Sequence, residues 1–259
     1  MKQNILISGG ASGIGLTMAK LFAGSGAEVW IADSDKDATR DLPFSWGKSI
    51  LDVADENSVE KMFEEIGQKW GRLDVLCANV GISGPTKPVE EISLAEWQRC
   101  ISVNLDGAFL FARGAVRLMK NAKAGCIIFT SSTAGIFGYP NRSPYCSSKW
   151  ALIGLMKTLA MELGPLGIRA NAICPGSVEG ERMDQVLMRD AKLQNCSSDS
   201  MYSMYASGSS MGLFVSAEDV ANMALFLSSK SAGRISGQVI AIDGNTENAY
   251  PKSEPIRRC

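Results

Sequence analysis

Tyr145, Lys149 and Ser132 are the residues of this chain whose types and spacing best suit proton-transfer chemistry. Tyr145 and Lys149 are four residues apart, so on a helix their side chains lie on the same face. The sequence contains no histidine, the side chain that usually transfers protons near neutral pH. This absence excludes Ser-His-Asp triads, Cys-His pairs and histidine-ligated zinc. Acid/base catalysis must use another group, for which a tyrosine beside a lysine is the best candidate, and we expect no metal site.

A glycine-rich segment near the start of the chain predicts phosphate binding. The first predicted strand runs directly into residues 8–15, Ser-Gly-Gly-Ala-Ser-Gly-Ile-Gly, which open a helix. Glycines let the backbone approach a pyrophosphate, whose charge the helix N-terminus stabilises. Such runs are often only tight turns, but a position between the first strand and the first helix favours dinucleotide binding. The residues expected to contact the dinucleotide are Gly9, Ser12, Gly13, Ile14 and Gly15.

An acidic residue after the second predicted strand bears on the choice of cofactor. Asp33 ends that strand, where a carboxylate can bond both ribose hydroxyls of an adenosine and repel a 2′-phosphate. We therefore expect NAD in preference to NADP; the alternative for Asp33 is a solvated acid in a turn. Asp52 closes the third predicted strand and, with Val53, is expected near the adenine. The alternative for Asp52 is a neighbour of a helix cap.

Short strand patterns alternate with longer helical patterns along nearly the whole chain. Several strand segments are apolar without alternation, which is typical of parallel strands covered on both faces. Capping boxes at residues 93–96 and 216–219 predict two helix starts. The alternation predicts an α/β fold, a single Rossmann-type doubly wound domain over residues 1–245, with a seven-stranded parallel sheet flanked by helices on both faces. The predicted strands are 4–8, 28–32, 49–51, 73–78, 126–130, 168–174 and 238–242.

Four segments depart from this simple alternation. Residues 105–119 and 150–163 predict helices that are apolar almost all round, and such helices must be buried on every side. The sheet covers one face, so a second subunit is expected on the other, in a homotetramer or a dimer. Residues 177–215 are rich in methionine, tyrosine and serine and too long for an ordinary connection, which predicts a substrate lid. Residues 246–259 contain two prolines without periodicity, which predicts an extended tail.

The composition excludes several classes of partner. The 259 residues carry 26 basic and 27 acidic side chains, a net charge of −1 that gives no electrostatic footprint for nucleic acid or an anionic membrane. The apolar runs are strand-sized, far short of the ~20 residues of a membrane span. Seven scattered cysteines without a Cys-x-x-Cys pair indicate free thiols in a reducing compartment. Because the first strand begins at Asn4, we expect no signal peptide and a cytoplasmic protein.

Together the motifs resemble those of the short-chain dehydrogenase/reductase family, in its compact single-domain branch. The resemblance covers about residues 3–245. The sequence departs from the family at Val80, where the family has alanine, and at Gly180, where a threonine often bonds the nicotinamide amide. The matching motifs are the Gly-x3-Gly-x-Gly loop, Asn79 and Gly81 of the family's Asn-Asn-Ala-Gly, Asn104, Ser132, Tyr145, Lys149 and Pro175-Gly176.

The resemblance implies a catalytic set of Asn104, Ser132, Tyr145 and Lys149. The tyrosine would be the general base or acid, the serine would hold the substrate oxygen, and the lysine would bond the nicotinamide ribose. A free tyrosine has a pKa near ~10, which the ammonium of Lys149 and the oxidised nicotinamide ring would lower. Asn104 is unfavourable inside a helix; a local opening there would free a carbonyl to bind water and link Lys149 to solvent. Cofactor contacts implied beyond the loop are Asn79, Gly81, Tyr145, Lys149, Pro175, Gly176 and Val178.

The substrate pocket is expected between the catalytic residues and the 177–215 segment. Two arginines near this place suggest an anionic or hydroxylated substrate, although exposed arginines are common. The methionines of the segment either shape the pocket or pack a core. The expected substrate contacts are Ser132, Phe137, Tyr139, Arg142, Tyr145, Ser177 and Arg182.

The sequence thus predicts an NAD-dependent oxidoreductase that interconverts a secondary alcohol and a ketone by hydride transfer. One alternative is an NADPH-dependent carbonyl reductase of the 3-oxoacyl type, against which Asp33 argues. Another is a non-catalytic dinucleotide-sensing protein, which would need no proton relay. A sugar-nucleotide epimerase on a related fold would need a longer chain with a separate substrate domain.

Overall fold

Seven parallel strands form one sheet in the order β3-β2-β1-β4-β5-β6-β7. The structure is a computed structural model that describes residues 2–248, so residues 249–259 of the predicted tail, with Cys259, lie outside the described residues. The predicted α/β doubly wound fold is confirmed. The strands are β1 (Asn4–Ser8), β2 (Glu28–Asp33), β3 (Gly47–Ile50), β4 (Val75–Ala78), β5 (Gly125–Thr130), β6 (Ile168–Pro175) and β7 (Val239–Ile242).

Helices cover both faces of the sheet. On one face α3, α5 and α6 bury Phe63, Phe111 and Met156 against the strands, and on the other α1 and α9 bury Phe22 and Val220. Both predicted capping boxes are present, at the starts of α4 and α9. The helices are α1 (Gly13–Gly24), α2 (Lys36–Arg40), α3 (Glu56–Trp70), α4 (Leu94–Ile101), α5 (Gly107–Ala122), α6 (Ser143–Leu163), α7 (Glu181–Gln194), α8 (Ser198–Ala206) and α9 (Ala217–Ser228).

All seven predicted strands are present, but the third ends earlier than predicted. β3 stops at Ile50, so Asp52 lies two residues past the strand and does not close it. The carboxylate of Asp52 accepts the N–H of Ala54 at 3.0 Å, which turns the chain towards α3. The fourth strand begins at Val75, two residues later than predicted, because the Asp74 carboxylate accepts the N–H of Asn4 at 2.8 Å in place of a ladder carbonyl.

The strand order reverses between β1 and β4. The chain leaves β1 towards β2 and β3 on one side, and it leaves β4 towards β5 on the other. At such a switch point the loops after neighbouring strands diverge and open a crevice at the carboxyl edge of the sheet. The sequence motifs that follow β1, β4, β5 and β6 are all brought to this edge.

Residues 177–215 form a helical excursion with both ends side by side. Val178 and Val215 pair as a parallel bridge, and between them α7 and α8 bury a small core of their own that includes Leu187, Met201 and Phe214. The next described part of the predicted tail is not free, because Thr246 pairs antiparallel with Ser209 of this excursion.

Two helices expose large apolar side chains. Phe109 of α5 is 44% exposed, and Trp150 and Met161 of α6 are 52% and 82% exposed. The sheet buries the opposite faces of both helices, as predicted from their all-round apolar character. Among the described residues, no helix combines the length and the apolar character needed to cross a bilayer, and the six described cysteines are free thiols.

Candidate active site

A cleft of about 640 Å³ lies at the carboxyl edge of the sheet, over the switch point. Its walls come from the loops after five strands and from the start of α7. The predicted site residues that line it are Gly9, Ser12, Gly13, Ile14, Asp33, Asn79, Gly81, Ser132, Tyr139, Arg142, Tyr145, Lys149, Pro175, Gly176, Ser177, Val178 and Arg182.

The glycine loop offers bare backbone to this cleft. Gly13 has a φ of +49°, and a Cβ placed on it would meet no atom within 4 Å. Gly15 lies beneath the loop, where a Cβ would come 2.0 Å from the carbonyl oxygen of Gly9. Ser12 makes no side-chain cap to the first turn of α1, which contains no acidic residue. This uncapped helix N-terminus, with space above it, fits a pyrophosphate.

Asp33 joins the end of β2 to the glycine loop. One carboxylate oxygen accepts the N–H of Ala11 at 3.0 Å, and the other accepts the N–H of Asp35 at 3.0 Å. Each oxygen has a second lone pair, and the residue lines the cleft. The carboxylate is therefore held in place while it keeps acceptor capacity for a ligand.

The start of α6 sets Tyr145 and Lys149 one turn apart. The side chain of Lys149 is 3% exposed, and its Nζ lies 5.8 Å from the centre of the Tyr145 ring. Nζ donates to the carbonyl oxygen of Thr130 at 2.8 Å, at the end of β5. The hydroxyl of Ser131 donates to the carbonyl oxygen of Lys149 at 2.8 Å. Two successive residues after β5 thus hold both ends of the lysine.

The surroundings of Tyr145 favour its ionised form. Burial raises the pKa of the phenol, but the positive charges of Lys149 and Arg182, with smaller contributions from Ser132 and Arg142, lower it further than burial raises it. The pKa of Tyr145 therefore lies below its usual range. Burial also lowers the pKa of Lys149, and the neighbouring phenol partly opposes this. Each partner thus eases the charging of the other.

Ser132 presents a hydroxyl with a proton to donate. It precedes a short 3₁₀ turn, and its Oγ accepts the N–H of Ala134 at 3.1 Å. A hydroxyl that accepts in this way still has its own O–H. Ser132 can therefore donate to an oxygen that lies between it and the Tyr145 phenol.

Asn104 lies behind the cleft in a π-helical turn, Ser102–Asp106, between α4 and α5. Its side chain is fully buried, accepts the N–H of Ile82 at 2.7 Å and donates to the Ile82 carbonyl at 3.0 Å. It also donates to the hydroxyl of Ser148 at 3.0 Å, which donates to the carbonyl of Tyr145 at 2.7 Å. The predicted local opening of the helix is present, and Asn104 joins the loop after β4 to the helix that carries Tyr145.

The loop after β4 has no room for larger side chains. A Cβ on Gly81 would lie 3.2 Å from both the Asn104 Oδ1 and the Lys149 Nζ. Asn79 donates from its side chain to the Gly9 carbonyl at 3.1 Å, and Val80 packs directly against Gly9. The β4 loop therefore supports the glycine loop on one side and the lysine on the other.

Three predicted site residues do not line the cleft: Asp52, Val53 and Phe137. Asp52 instead forms an ion pair with Arg99 at 2.8 Å. Sequence reasoning also missed the two serines that position the catalytic pair, Ser131 and Ser148. The run Ser147-Ser148-Lys149, in which Ser148 is three residues after Tyr145, was the available signal for one of them. Within residues 2–248, no group of three His, Cys, Asp or Glu side chains could hold a metal ion.

The sequence matches the family model described as enoyl-(acyl carrier protein) reductase over residues 9–245. It is 37% identical over 255 residues to (+)-borneol dehydrogenase 1 of Salvia officinalis, covering 95% of this chain and 94% of the relative. It is 35% identical over 246 residues to the 3-oxoacyl-[acyl-carrier-protein] reductase FabG of Thermotoga maritima, covering 92% and 95%. The chain belongs to the short-chain dehydrogenase/reductase family.

Solved structures of other proteins share its whole architecture. NAD⁺-bound xylitol dehydrogenase superposes with a TM-score of 0.90 at 25% identity, covering 94% of this chain and 98% of that one. ElxO with NADP bound gives a TM-score of 0.83 at 31% identity, covering 94% and 98%. This short-chain dehydrogenase/reductase is therefore an oxidoreductase of the nicotinamide-dinucleotide type. The neighbours bind either form of the cofactor.

The depressed pKa of Tyr145 can be tested without catalysis. We expect the near-ultraviolet absorbance of tyrosinate, taken as the difference between the wild type and Tyr145→Phe, to appear at a pH below that of ordinary tyrosine. Lys149→Met removes the main cation that opposes burial, so the transition should move to higher pH. An unchanged transition in Lys149→Met would contradict this account of the phenol.

Proposed function

We propose that this protein is an NAD-dependent dehydrogenase that interconverts a secondary alcohol and a ketone, with Tyr145 as general base and acid. The supporting observation is the Tyr145 phenol itself, which lies in the cleft beside Lys149 and Ser132 with its pKa lowered. The glycine loop and Asp33 line the same cleft. A proton-transfer group and a dinucleotide cradle therefore share one crevice.

The chain's own residues account for the proton movement. In the oxidation direction, the Tyr145 phenolate removes the proton of the substrate hydroxyl while Ser132 donates to the same oxygen and fixes the reacting carbon. Lys149 stabilises the phenolate by its charge. A bound nicotinamide would supply the hydride acceptor at that carbon. Asn104 is a positioning residue, since it reaches Tyr145 only through Ser148, and we propose that water in the π-helical turn links Lys149 to solvent.

The cradle suits NAD as the bound cofactor. The pyrophosphate would lie on the N–H groups from Ser12 to Ile14, with Gly9 and Gly15 allowing the close approach. Asp33 would accept from the ribose hydroxyls. The nicotinamide end would lie among Asn79, Gly81, Tyr145, Lys149, Pro175, Gly176 and Val178.

Replacing Tyr145 by phenylalanine should remove the reaction and leave the fold. We expect kcat for alcohol oxidation to fall by about a thousandfold or more, because the proton acceptor is lost, while NAD binding measured by calorimetry stays within about twofold. The assay follows NADH formation with a panel of secondary alcohols. Tyr202→Phe is the matched control, since Tyr202 is exposed on α8 and does not line the cleft. Near-wild-type turnover in Tyr145→Phe would remove the phenol from the mechanism.

The cofactor preference should depend on the charge of Asp33. In Asp33→Asn, we expect the ratio of kcat/KM for NAD to that for NADP to fall about tenfold or more, because a negative side chain no longer faces the 2′-phosphate. Asp37→Asn removes an exposed carboxylate in α2 that does not line the cleft and should leave the ratio unchanged. A wild-type enzyme that prefers NADP would contradict the proposed role of Asp33.

A second candidate is supported by the 35% identity to a 3-oxoacyl reductase. In that function the protein reduces a 3-oxoacyl thioester with NADPH, and the Tyr145 phenol donates the proton that it accepts in the first. Oxidation of NADPH in the presence of a 3-oxoacyl thioester distinguishes the two. Asp33 favours the first candidate.

We propose that the exposed apolar side chains of α5 and α6 are covered by further copies of the chain, in a homotetramer or a dimer. Phe109, Trp150 and Met161 lie on helices whose other faces already pack on the sheet. Burying them would stabilise an assembly through apolar area removed from water. The free cysteines suit a reducing compartment such as the cytoplasm.

Trp150→Glu should dissociate the assembly. Analytical ultracentrifugation should give an oligomer for the wild type and a smaller species for the variant, because a carboxylate would be buried at the contact. Phe44→Glu is the control, since Phe44 is fully exposed but lies in the loop after α2. A monomeric wild type at micromolar concentration would refute the proposed oligomer.

A further inference from the structure

Arg142 lies beside Tyr145 with part of its guanidinium unsatisfied. It is three residues before Tyr145 at the start of α6, and its guanidinium carbon lies 5.1 Å from the centre of the tyrosine ring. One terminal nitrogen donates to the Ser83 carbonyl at a long 3.4 Å. Its Nε is buried and has no hydrogen-bond partner. Buried donors are normally paired, so an orphaned one at a cleft wall indicates a missing acceptor.

Arg182 approaches the same place from the lid. It is the second residue of α7, and its Nη1 donates to the Gly81 carbonyl at 2.9 Å. A cation in the first turn of a helix is opposed by the helix dipole, although Glu181 and Asp184 in the same turn complement that dipole. The position of Arg182 is therefore electrostatically unfavourable in this structure.

Neither arginine forms an ion pair with a carboxylate of residues 2–248. Glu179 and Glu181 line the same cleft, but both are exposed and neither pairs with the two arginines. In contrast, five arginines elsewhere contact a carboxylate, namely Arg40, Arg72, Arg99, Arg113 and Arg117.

Three cations thus surround one phenol, since Lys149, Arg142 and Arg182 all lower the pKa of Tyr145. Ionisation of the phenol balances only one of these charges. The remaining positive charge faces the cleft beside the place where the substrate oxygen would lie. The planar fork of an arginine matches a carboxylate in two parallel hydrogen bonds.

We propose that the substrate carries a carboxylate, which Arg142 and Arg182 bind while its carbinol oxygen meets Ser132 and Tyr145. The substrate is then a hydroxy acid, and the product is the corresponding oxo acid. This inference rests on the proposed function and specifies its substrate class. Two anchored ends fix the reacting carbon more tightly than one.

The test compares substrates that differ only in charge. The pairs are 3-hydroxybutanoate with 3-hydroxybutanamide and 4-hydroxypentanoate with 4-hydroxypentanamide, assayed by NADH formation at saturating NAD. We expect kcat/KM for at least one acid to exceed that for its amide by about tenfold or more, as hydrogen bonds to a charged group predict. Arg142→Gln and Arg182→Gln should each reduce this acid-to-amide ratio towards one.

The ratio is taken within each variant, so that any effect of the arginines on the Tyr145 phenol cancels. Arg234→Gln, an exposed arginine outside the cleft, should keep the wild-type ratio. Arg142→Lys keeps the charge without the fork, should keep part of the preference, and replaces Arg142→Gln if that variant does not fold.

Equal rates for acid and amide would overturn the carboxylate site and leave the dehydrogenase function standing. A change in KM for NAD with an unchanged ratio would also overturn it, since the arginines would then serve the cofactor. If neither pair is oxidised, binding of 4-oxopentanoate and 4-oxopentanamide to the protein–NADH complex, followed by NADH fluorescence, decides the question. Tighter binding of the acid that both Gln variants abolish supports the inference, and equal binding overturns it.

Discussion

The chemistry of this site depends on a conflict between burial and charge at a single phenol. Burial raises the pKa of Tyr145, and it lowers that of Lys149, so burial alone would leave both groups neutral. Placed together, the two groups each favour the charged form of the other. The pair can be activated only if the lysine is held close to the ring, so the remaining contacts of the site serve to hold it there.

Three loops share this task, and each starts at the carboxyl end of a different element. The β5 end supplies the Thr130 carbonyl to the Lys149 ammonium and the Ser131 hydroxyl to its backbone. The loop after β4 supplies Gly81, where a side chain would collide with that ammonium. The π-helical turn supplies Asn104, which connects the β4 loop to α6. Because all three are parallel-sheet connections, the strand order places them at one edge.

Local patterns in the sequence were enough to predict the sheet and the catalytic spacing. A four-residue separation on a helix fixes the relation of Tyr145 to Lys149 whatever surrounds it, and apolar strands with glycine-rich turns have strong local signals. Asp33 was placed correctly at the end of β2 for the same reason. In these cases the residues that decide the structure are close together in the sequence.

The sequence failed where a distant partner decides the outcome. Asp52 looked like a strand end beside the cofactor, but its carboxylate bonds the next turn and Arg99, forty-seven residues away. Of the five methionines expected to shape the pocket, only Met183 lines the cleft, while Met201 packs the core of the lid. The free valences of Arg142 are likewise invisible in sequence, because an unpaired arginine is defined by which carboxylates are not near it.

The departure from the family pattern at Gly180 gains a structural reason from the lid. Gly180 has a φ of +125° and a ψ of 174°, a conformation that side chains rarely adopt. A threonine here would strain the backbone, so the glycine reflects a different path of the chain and not merely a lost side chain. That path starts α7 at the next residue and brings Arg182 onto the Gly81 carbonyl. Since Gly81 also borders Lys149 and Asn104, the first turn of the lid rests on the same backbone that positions the catalytic lysine. An anion that draws Arg182 into the cleft would therefore act on the lid and on the reacting centre through one contact.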